Sequence, residues 1–186
     1  MSRIQVLSVG LPQPLPYLDG SVPSGFVKTP VSRVLYLGTE GLEGDGQADR
    51  QNHGGPDKAV CVYPSEHYPS WQERLGKPLG DAAFGENFTT SGLTEEDVCI
   101  GDVYQIEQAI VQVSQPRKPC FKLAARYGEP KLTLWVQETG LSGWYFRLVY
   151  VAGVGPAVVG EVHREGRARG PVVTSVTPLA VAGELP

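Results

Sequence analysis

The chain has 186 residues, enough for one domain with a sizeable core and too few for two ordinary domains. Its formal net charge of −4 argues against nonspecific binding to nucleic acid polymers, and its three cysteines, without a Cys-x-x-Cys pair, indicate neither a disulfide framework nor a zinc site. With 23 glycines, 16 prolines and 41% hydrophobic residues, the composition is typical of a turn-rich domain that is mainly β with a few short helices.

The first half of the chain alternates short apolar runs with turns. Strands are expected at Ile4–Val9 and in the run from Val31 to Leu37, whereas Leu11–Pro16 has too many prolines for a helix or a central strand. A long polar stretch follows from Gly41 to Lys58, and loops of this length often carry function. The run Ala59–Tyr63 is typical of a buried strand, which would anchor the far end of this loop.

The second half mixes helix and strand signals. Ser65 is a candidate N-cap for a helix that runs to Leu75 and is closed by Gly76. The pattern then predicts a hairpin, two short helices, a final strand pair and a last stretch that is either a tail or an interrupted element. These elements are expected at Val103–Val113, Cys120–Gly128, Pro130–Thr139, Gly143–Val151 with Pro156–Val162, and Thr174–Pro186. Because neither a secretory signal nor a membrane span is evident, we expect a cytoplasmic protein with no membrane partner.

The stretch Ser114–Leu123 concentrates one thiol, two prolines and three cations in ten residues. Pro119 and Gly128 predict a short helix with Cys120 in its first turn. The helix dipole and the neighbouring cations would favour the thiolate, which acts as a nucleophile or a soft-metal ligand. The alternative is a buried cysteine that only packs against its neighbours.

Residues 115–131 form a basic island in an otherwise acidic chain. They carry five cations against Glu129, a net charge of +5 − 1 = +4. Such a compact island suits a small anion such as a phosphate better than a polyanion, whose footprint would be broad. The alternative is a solvated helix face.

The polar loop supplies Asp49, Arg50, His53 and Lys58 among glycines that let backbone amides approach a ligand closely. Its spacing matches neither a dinucleotide-binding fingerprint nor an EF-hand. His53 paired with Cys120 would form a Cys–His nucleophilic site for acyl transfer, given a third group to orient the histidine. Candidates for that third group are Asp49, Glu86 and Asn87. A second alternative is a non-catalytic module that binds a small anion and in which Cys120 is replaceable by serine.

Five motifs occur together and in a fixed order. They are Gly41-Leu-Glu-Gly-Asp-Gly46, Asn52-His-Gly-Gly-Pro-Asp-Lys-Ala-Val-Cys61, Phe84-Gly-Glu-Asn-Phe88, Gly101-Asp102 and Gln115-Pro-Arg-Lys-Pro-Cys120. Through them the chain resembles the MOSC domain (molybdenum cofactor sulfurase C-terminal domain), in its stand-alone, bacterial YiiM-like branch. The match runs from about Val31 to about Val162, and the Pro-Arg-x-Pro-Cys element is its most specific part.

The resemblance implies a closed or partly closed β-barrel of the MOSC type over residues 1–165. Residues 166–186 would be a tail, without the helical segment that commonly ends YiiM-like proteins. The resemblance also implies a molybdenum cofactor (molybdopterin), a pterin dithiolene with a terminal phosphate, whose metal is held by Cys120. Anchoring of the cofactor is expected from Arg50, Lys58, Asn87, Arg117 and Lys118, and proton handling from His53 and Glu86.

The activity that the resemblance implies is the reduction of small N-hydroxylated compounds, including toxic hydroxylaminopurine bases, by electrons from a separate reductase. The absence of a flavin or nicotinamide motif agrees with an external donor. Because reduction of an N–OH group releases water, a positioned acid is required. The alternative is a non-catalytic carrier of the cofactor or of its sulfur, as MOSC domains fused to sulfurases suggest.

Overall fold

The computed structural model describes residues 2–149, 157–159 and 174–178. Within these residues most of the regular structure is β. The strands are β1 (Arg3–Val9), β2 (Gln13–Tyr17), β3 (Gly20–Ser24), β4 (Thr29–Pro30), β5 (Leu35–Gly38), β6 (Gly41–Leu42), β7 (Val60–Pro64), β8 (Phe88–Ser91), β9 (Val103–Ile106), β10 (Ala109–Pro116), β11 (Trp144–Leu148), β12 (Ala157–Val159) and β13 (Thr174–Pro178). The α-helices are α1 (Tyr68–Leu75), α2 (Phe121–Tyr127) and α3 (Leu132–Thr139). None of these helices is both long and apolar enough to cross a membrane.

Eight of the strands form one curled sheet in the order β13-β9-β10-β11-β7-β8-β1-β4. Neighbouring strands are antiparallel, except β7 and β8, which run parallel. β13 pairs with β9 and reaches β1 through two residue pairs, Arg3 with Ser175 and Ile4 with Thr174. Because the contact between β13 and β1 is limited to these two residue pairs, the curled sheet is a half-barrel rather than a fully closed barrel. The mainly β prediction is confirmed, and full closure of the barrel is not.

One face of the curled sheet buries the main hydrophobic core. Val60 and Val62 of β7 and Trp144 and Phe146 of β11 belong to this core, and each is at most 2% exposed. A fully buried side chain of this size contributes roughly 1.5–3 kcal/mol to folding. Because successive side chains of a strand point to opposite faces, the residues between these four are directed to the other face.

A second, smaller core lies beneath the three helices. The rings of Tyr63 and Phe84 stack with centroids 4.1 Å apart, and the Trp71 indole N–H donates to the Tyr63 hydroxyl at 2.7 Å. Leu123 of α2 is fully buried in the same cluster. This packing fixes α2 against the sheet. It therefore also fixes Cys120, the residue immediately before α2.

Several locally encoded elements are confirmed, including β1, the β9–β10 hairpin and the strand after the polar loop. Each α-helix ends at a glycine with a left-handed backbone, as predicted: Gly76, Gly128 and Gly140. The prediction that Ser65 caps a helix is wrong, because Ser65 starts a short 3-10 turn and α1 begins at Tyr68. Pro69 is tolerated in the first turn, where its missing N–H would have no intrahelical partner.

A β-bulge interrupts β10. Val113 lies opposite Phe146 of β11, and Gln115 lies opposite Tyr145, so Ser114 is an extra residue in the ladder. The Ser114 hydroxyl lies 3.1 Å from the backbone oxygen of Tyr145. Because of the bulge, the later side chains of β10 point to the opposite face from the one that strict alternation would give them.

Two predictions for the C-terminal part of the chain need correction. Within the described parts of these two runs the predicted final strand pair is not formed, because β11 pairs with β10 and β7 while β12 pairs with β5. Neighbouring apolar runs usually pair with each other, but here β10 and β7 occupy both edges of β11, and β12 joins β5 in a separate three-stranded sheet. Thr174–Pro178 form β13 within the main sheet instead of a tail. The other residues of the predicted tail lie outside the described residues.

Candidate functional site

A cleft with about 640 Å³ of empty space, partly open to solvent, collects residues from distant parts of the chain. They come from the segment before β4, the glycine-rich loop before β7, the turn before β8, and the segment between β10 and α2. Of the predicted site residues, those that line the cleft are His53, Lys58, Asn87, Arg117, Lys118 and Cys120. The structure thus brings the polar loop and the Cys120 segment together, although they lie some 60 positions apart in sequence.

The glycine-rich loop folds around Asp49. The carboxylate of Asp49 accepts the backbone N–H of Asn52 at 3.0 Å, and the backbone oxygen of Asp49 accepts the N–H of His53 at 2.9 Å. This turn, typical of short carboxylate side chains, brings Nδ1 of His53 to 3.1 Å from the carboxylate. At Gly54 a Cβ atom would lie 2.3 Å from the side-chain oxygen of Gln47, so the turn requires glycine there.

Cys120 lies at the junction between β10 and α2. Its backbone is extended (φ −136°, ψ 169°), which makes it the N-cap of α2 and not a first-turn residue as predicted. Its backbone oxygen accepts the hydroxyl of Thr133 at 2.9 Å, which ties the junction to α3. The half-buried thiol lines the cleft together with the ring of His53.

The Cys120 thiol and the His53 imidazole shift each other's ionisation. Burial disfavours the thiolate, but His53 and the backbone N–H of Lys122 outweigh burial and hold the pKa of Cys120 below its ordinary value. Cys120 is also the main cause that raises the pKa of His53, against burial and with help from Asp49. The pKa of Asp49 is strongly lowered, chiefly by the hydrogen bonds from Asn52. Both shifts favour a thiolate–imidazolium pair, with the carboxylate of Asp49 beside the imidazole.

The first prediction concerns the reactivity of Cys120 as a function of pH. Because the pKa of Cys120 is lowered, its alkylation by iodoacetamide should reach half its maximal rate below the ordinary thiol midpoint of about 8.5. In His53→Ala that midpoint should move up, because the group that stabilises the thiolate is gone. Peptide mass spectrometry of samples alkylated between about pH 5 and pH 10 measures both midpoints. The exposed Cys99 in the same molecule is the control, and equal Cys120 midpoints in the two proteins would contradict the pairing.

The cations of the cleft differ in their surroundings. Arg117 is half-buried with its guanidinium carbon 5.8 Å from the centre of the Phe26 ring, and Lys118 is exposed. Lys122 is 8% exposed, and neither it nor Arg117 forms an ion pair with any residue that the structure describes. Lys58 donates to a backbone oxygen of the loop at 2.5 Å. Arg117 and Lys122 are therefore the cations best placed to receive an anion.

Arg50 does not take part in the cleft. Its guanidinium pairs with the carboxylate of Glu40 at the exposed surface of the loop. The prediction that Arg50 anchors a cofactor does not fit this position. The family resemblance suggested this role, but the turn around Asp49 points the side chains of Arg50 and His53 in different directions.

Asn87 forms part of the cleft wall. Its Oδ1 accepts the backbone N–H of Cys61 at 3.0 Å, and its Nδ2 donates to the backbone oxygen of Ser8 at 3.2 Å. With 3% exposure and both ends of its amide engaged, Asn87 connects β7 to the chain around β1. Its side chain holds the wall in place.

Glu86 lies behind the wall and does not line the cleft. It is fully buried, and its carboxyl accepts the backbone N–H of Phe84 at 2.9 Å, the hydroxyl of Thr89 at 3.0 Å and the hydroxyl of Tyr68. Burial raises the pKa of Glu86 against the effect of these hydrogen bonds. The predicted proton-handling role of Glu86 does not fit a carboxyl that is enclosed and fully bonded.

Several cleft residues, Lys122 among them, were not identified as site candidates from the sequence. Lys28 and Asp45 form an ion pair with side-chain exposures of only 5% and 8%, and Asp45 also accepts the N–H of Gly10 at 2.9 Å. Cys61 and Tyr145 lie opposite each other on β7 and β11. Asp45 and Cys61 lie within motifs, which was a usable signal, whereas Lys28 and Tyr145 carry no local signal at all.

Comparison with known proteins agrees with this geometry. The family model of the MOSC domain matches residues 49–167. YflK of Bacillus subtilis is 53% identical over 160 residues, which cover 86% of this chain and 72% of YflK. A Gibberella moniliformis protein named Reductase is 36% identical over 141 residues, which cover 74% of this chain and 25% of that protein.

A solved structure gives the same result at the level of the fold. The crystal structure of YiiM from Geobacillus stearothermophilus matches with a TM-score of 0.71 and 37% identity. The match covers 96% of this chain and 75% of that chain. The motifs, the fold and the matched region agree, and the chain belongs to the MOSC domain family.

Proposed function

We propose that this MOSC domain protein is a molybdenum-cofactor-dependent oxidoreductase that reduces small N-hydroxylated compounds with electrons from a separate reductase. The observation that carries the proposal is the Cys120 thiol, low in pKa and beside His53, in a cleft whose charged groups are mainly cations. The family's association with the molybdenum cofactor supports it, as does the name of the fungal relative.

The residues of the cleft suit both parts of the cofactor. A thiolate is a suitable soft ligand for molybdenum, and Cys120 offers one. The lining carries five cations, Lys28, Lys58, Arg117, Lys118 and Lys122, against the two carboxylates of Asp45 and Asp49. Lys122 lines the cleft, is 8% exposed as a residue and forms no ion pair within the described residues, which favours an anion at this site. A terminal phosphate on the pterin is such an anion.

Each side chain then has a distinct task. When bound, the cofactor would supply a two-electron redox centre. Cys120 would hold the metal, and Arg117 and Lys122 would hold the anionic end of the pterin. His53 would keep a proton beside the thiolate, because its raised pKa preserves the imidazolium to higher pH. The charged and reactive side chains converge on one concave cleft instead of spreading over a broad surface, which supports a small substrate rather than a polymer.

Production of the protein in two hosts tests the proposal. One host makes the molybdenum cofactor, and the other lacks its biosynthesis. We expect molybdenum and pterin in the first preparation at about one equivalent per chain, and N-hydroxylamine reduction with a chemically reduced viologen dye as electron donor. The second preparation should be inactive. A folded protein from the first host without molybdenum would overturn the proposal, and molybdenum without turnover would favour the carrier of cofactor or sulfur.

A second candidate function is favoured by the line of Cys120, His53 and Asp49, which resembles the nucleophile, base and orienting group of a cysteine hydrolase. The metal-free protein separates the two candidates. A hydrolase would turn over activated acyl esters without metal and would form an acyl-enzyme at Cys120. The oxidoreductase would be acylated at Cys120 at most once per chain, because it would not be built to hydrolyse the resulting thioester.

A further inference from the structure

Tyr145 is a cleft residue that the activity described so far does not use. On β7 and β11 the core residues Val62 and Trp144 face each other, and so do Val60 and Phe146. Tyr145 lies between the two core residues of β11 and opposite Cys61, so the pleat directs its ring to the cleft side of the sheet. Its half-buried side chain accordingly lines the cleft.

The phenol of Tyr145 is chemically free where its polar neighbours are engaged. His53 is held by Asp49 through Nδ1 and faces the Cys120 thiol, and Lys28 is held by Asp45. The Tyr145 hydroxyl, in contrast, makes no hydrogen bond to any residue within the described ranges. A free hydroxyl group in a cleft is available to a ligand.

The surroundings of the phenol keep it protonated. Burial raises the pKa of Tyr145 well above its ordinary value, the thiols of Cys61 and Cys120 add to the rise, and the guanidinium of Arg117 opposes it. At neutral pH the group is therefore a hydrogen-bond donor. Arg117 also supplies a positive charge close enough to stabilise a phenolate formed for a short time.

We propose that Tyr145 is a further catalytic residue, which donates its phenolic proton to the hydroxyl oxygen of the N-hydroxylated substrate as the N–O bond breaks. The inference rests on the proposed function. Two electrons from the external reductase and two protons convert R–NH–OH into R–NH₂ and water. The hydroxyl oxygen leaves as water with the proton from Tyr145, the nitrogen takes the second proton, and solvent returns a proton to the phenolate.

This assignment gives Tyr145 the task that the sequence had suggested for Glu86. Glu86 is enclosed behind the cleft wall, and Tyr145 lies on the cleft surface. His53 would remain the partner of the Cys120 thiolate. The two roles, stabilising the thiolate and protonating the leaving oxygen, would then belong to different side chains.

The variant Tyr145→Phe tests the proposal, because it keeps the ring and removes only the hydroxyl. With loaded protein and a reduced viologen dye as electron donor, kcat for an N-hydroxylated purine should fall by roughly 100-fold, while KM changes by less than about threefold. The molybdenum content and the melting temperature should stay at wild-type values. Tyr36→Phe, at an exposed position on β5, is the matched control and should behave as wild type.

A second electron acceptor separates proton delivery from loss of the redox centre. Ferricyanide takes electrons without needing a protonated leaving group, so Tyr145→Phe, reduced in advance, should pass electrons to it as fast as wild type. A wild-type kcat in Tyr145→Phe, or an equal loss with both acceptors, would overturn the proposal. Wild-type protein that holds no molybdenum would instead overturn the proposed function, and the two failures are therefore distinct.

Discussion

Replacement of Cys120 by alanine is expected to lower the molybdenum content of the purified protein, and its N-hydroxy reductase activity, by roughly 100-fold or more. The reason is that Cys120 would be the protein's ligand to the metal, and the remaining cations would hold only the anionic end of the cofactor. Elemental analysis and turnover with a reduced dye, on protein from a host that makes the cofactor, measure the two effects.

The other two cysteines provide the controls for this experiment. Cys99→Ala changes an exposed thiol and should leave both quantities at wild-type values. Cys61→Ala is the more demanding comparison, because Cys61 also lines the cleft, but burial raises the pKa of its thiol and so disfavours the thiolate that a metal requires. If Cys61→Ala lost the metal and Cys120→Ala kept it, the assignment of the metal ligand would be wrong.

The second large effect is expected at Glu86, on stability. In Glu86→Ala the backbone N–H of Phe84 and the hydroxyls of Thr89 and Tyr68 lose their buried acceptor. Because an unsatisfied buried donor costs about 1–3 kcal/mol, the free energy of unfolding should fall by about 3 kcal/mol or more. Urea denaturation of the metal-free protein measures it.

Glu96→Ala, at an exposed glutamate, is the matched control and should stay within about 0.5 kcal/mol of wild type. The comparison also decides between the two roles considered for Glu86. A Glu86→Ala protein as stable as wild type, which loses only its reductase activity, would restore the proton-handling role that the sequence suggested. A protein of low stability with normal metal binding at low temperature would support the structural role.

The parts of the fold that were predictable from the sequence depend on local chemistry. The left-handed glycines Gly76, Gly128 and Gly140 end their helices, because only glycine adopts that backbone at no steric cost. Strand partners were less predictable. The final apolar run pairs with β5 and not with its neighbour β11, because both edges of β11 are already paired, with β10 and with β7.

The candidate site was predictable in its motifs and not in its side-chain directions. Cys120 and His53 were found because motifs mark them, and the structure brings both to one cleft. Arg50 and Lys122 were both visible as cations, yet one pairs at the surface with Glu40 and the other turns inward without a counterion. Tyr145 gave no signal, because its position depends on strand pairing across more than 80 residues.

The bulge at Ser114 has a consequence for how this site can vary. If Ser114 paired within a regular ladder instead of forming the bulge, Arg117 would lie on the same face of the sheet as Val113 and would point into the core, because strand side chains alternate strictly. With the bulge, Arg117 points to the cleft beside Tyr145. The face of the sheet on which Arg117 lies is therefore determined by which residues of β10 pair with β11, and not by any one contact of Arg117. Changes in residue type at Ser114 leave this pairing intact, and removal of the extra residue would keep Arg117 on the cleft side, whereas pairing of Ser114 within the ladder would turn Arg117 towards the core.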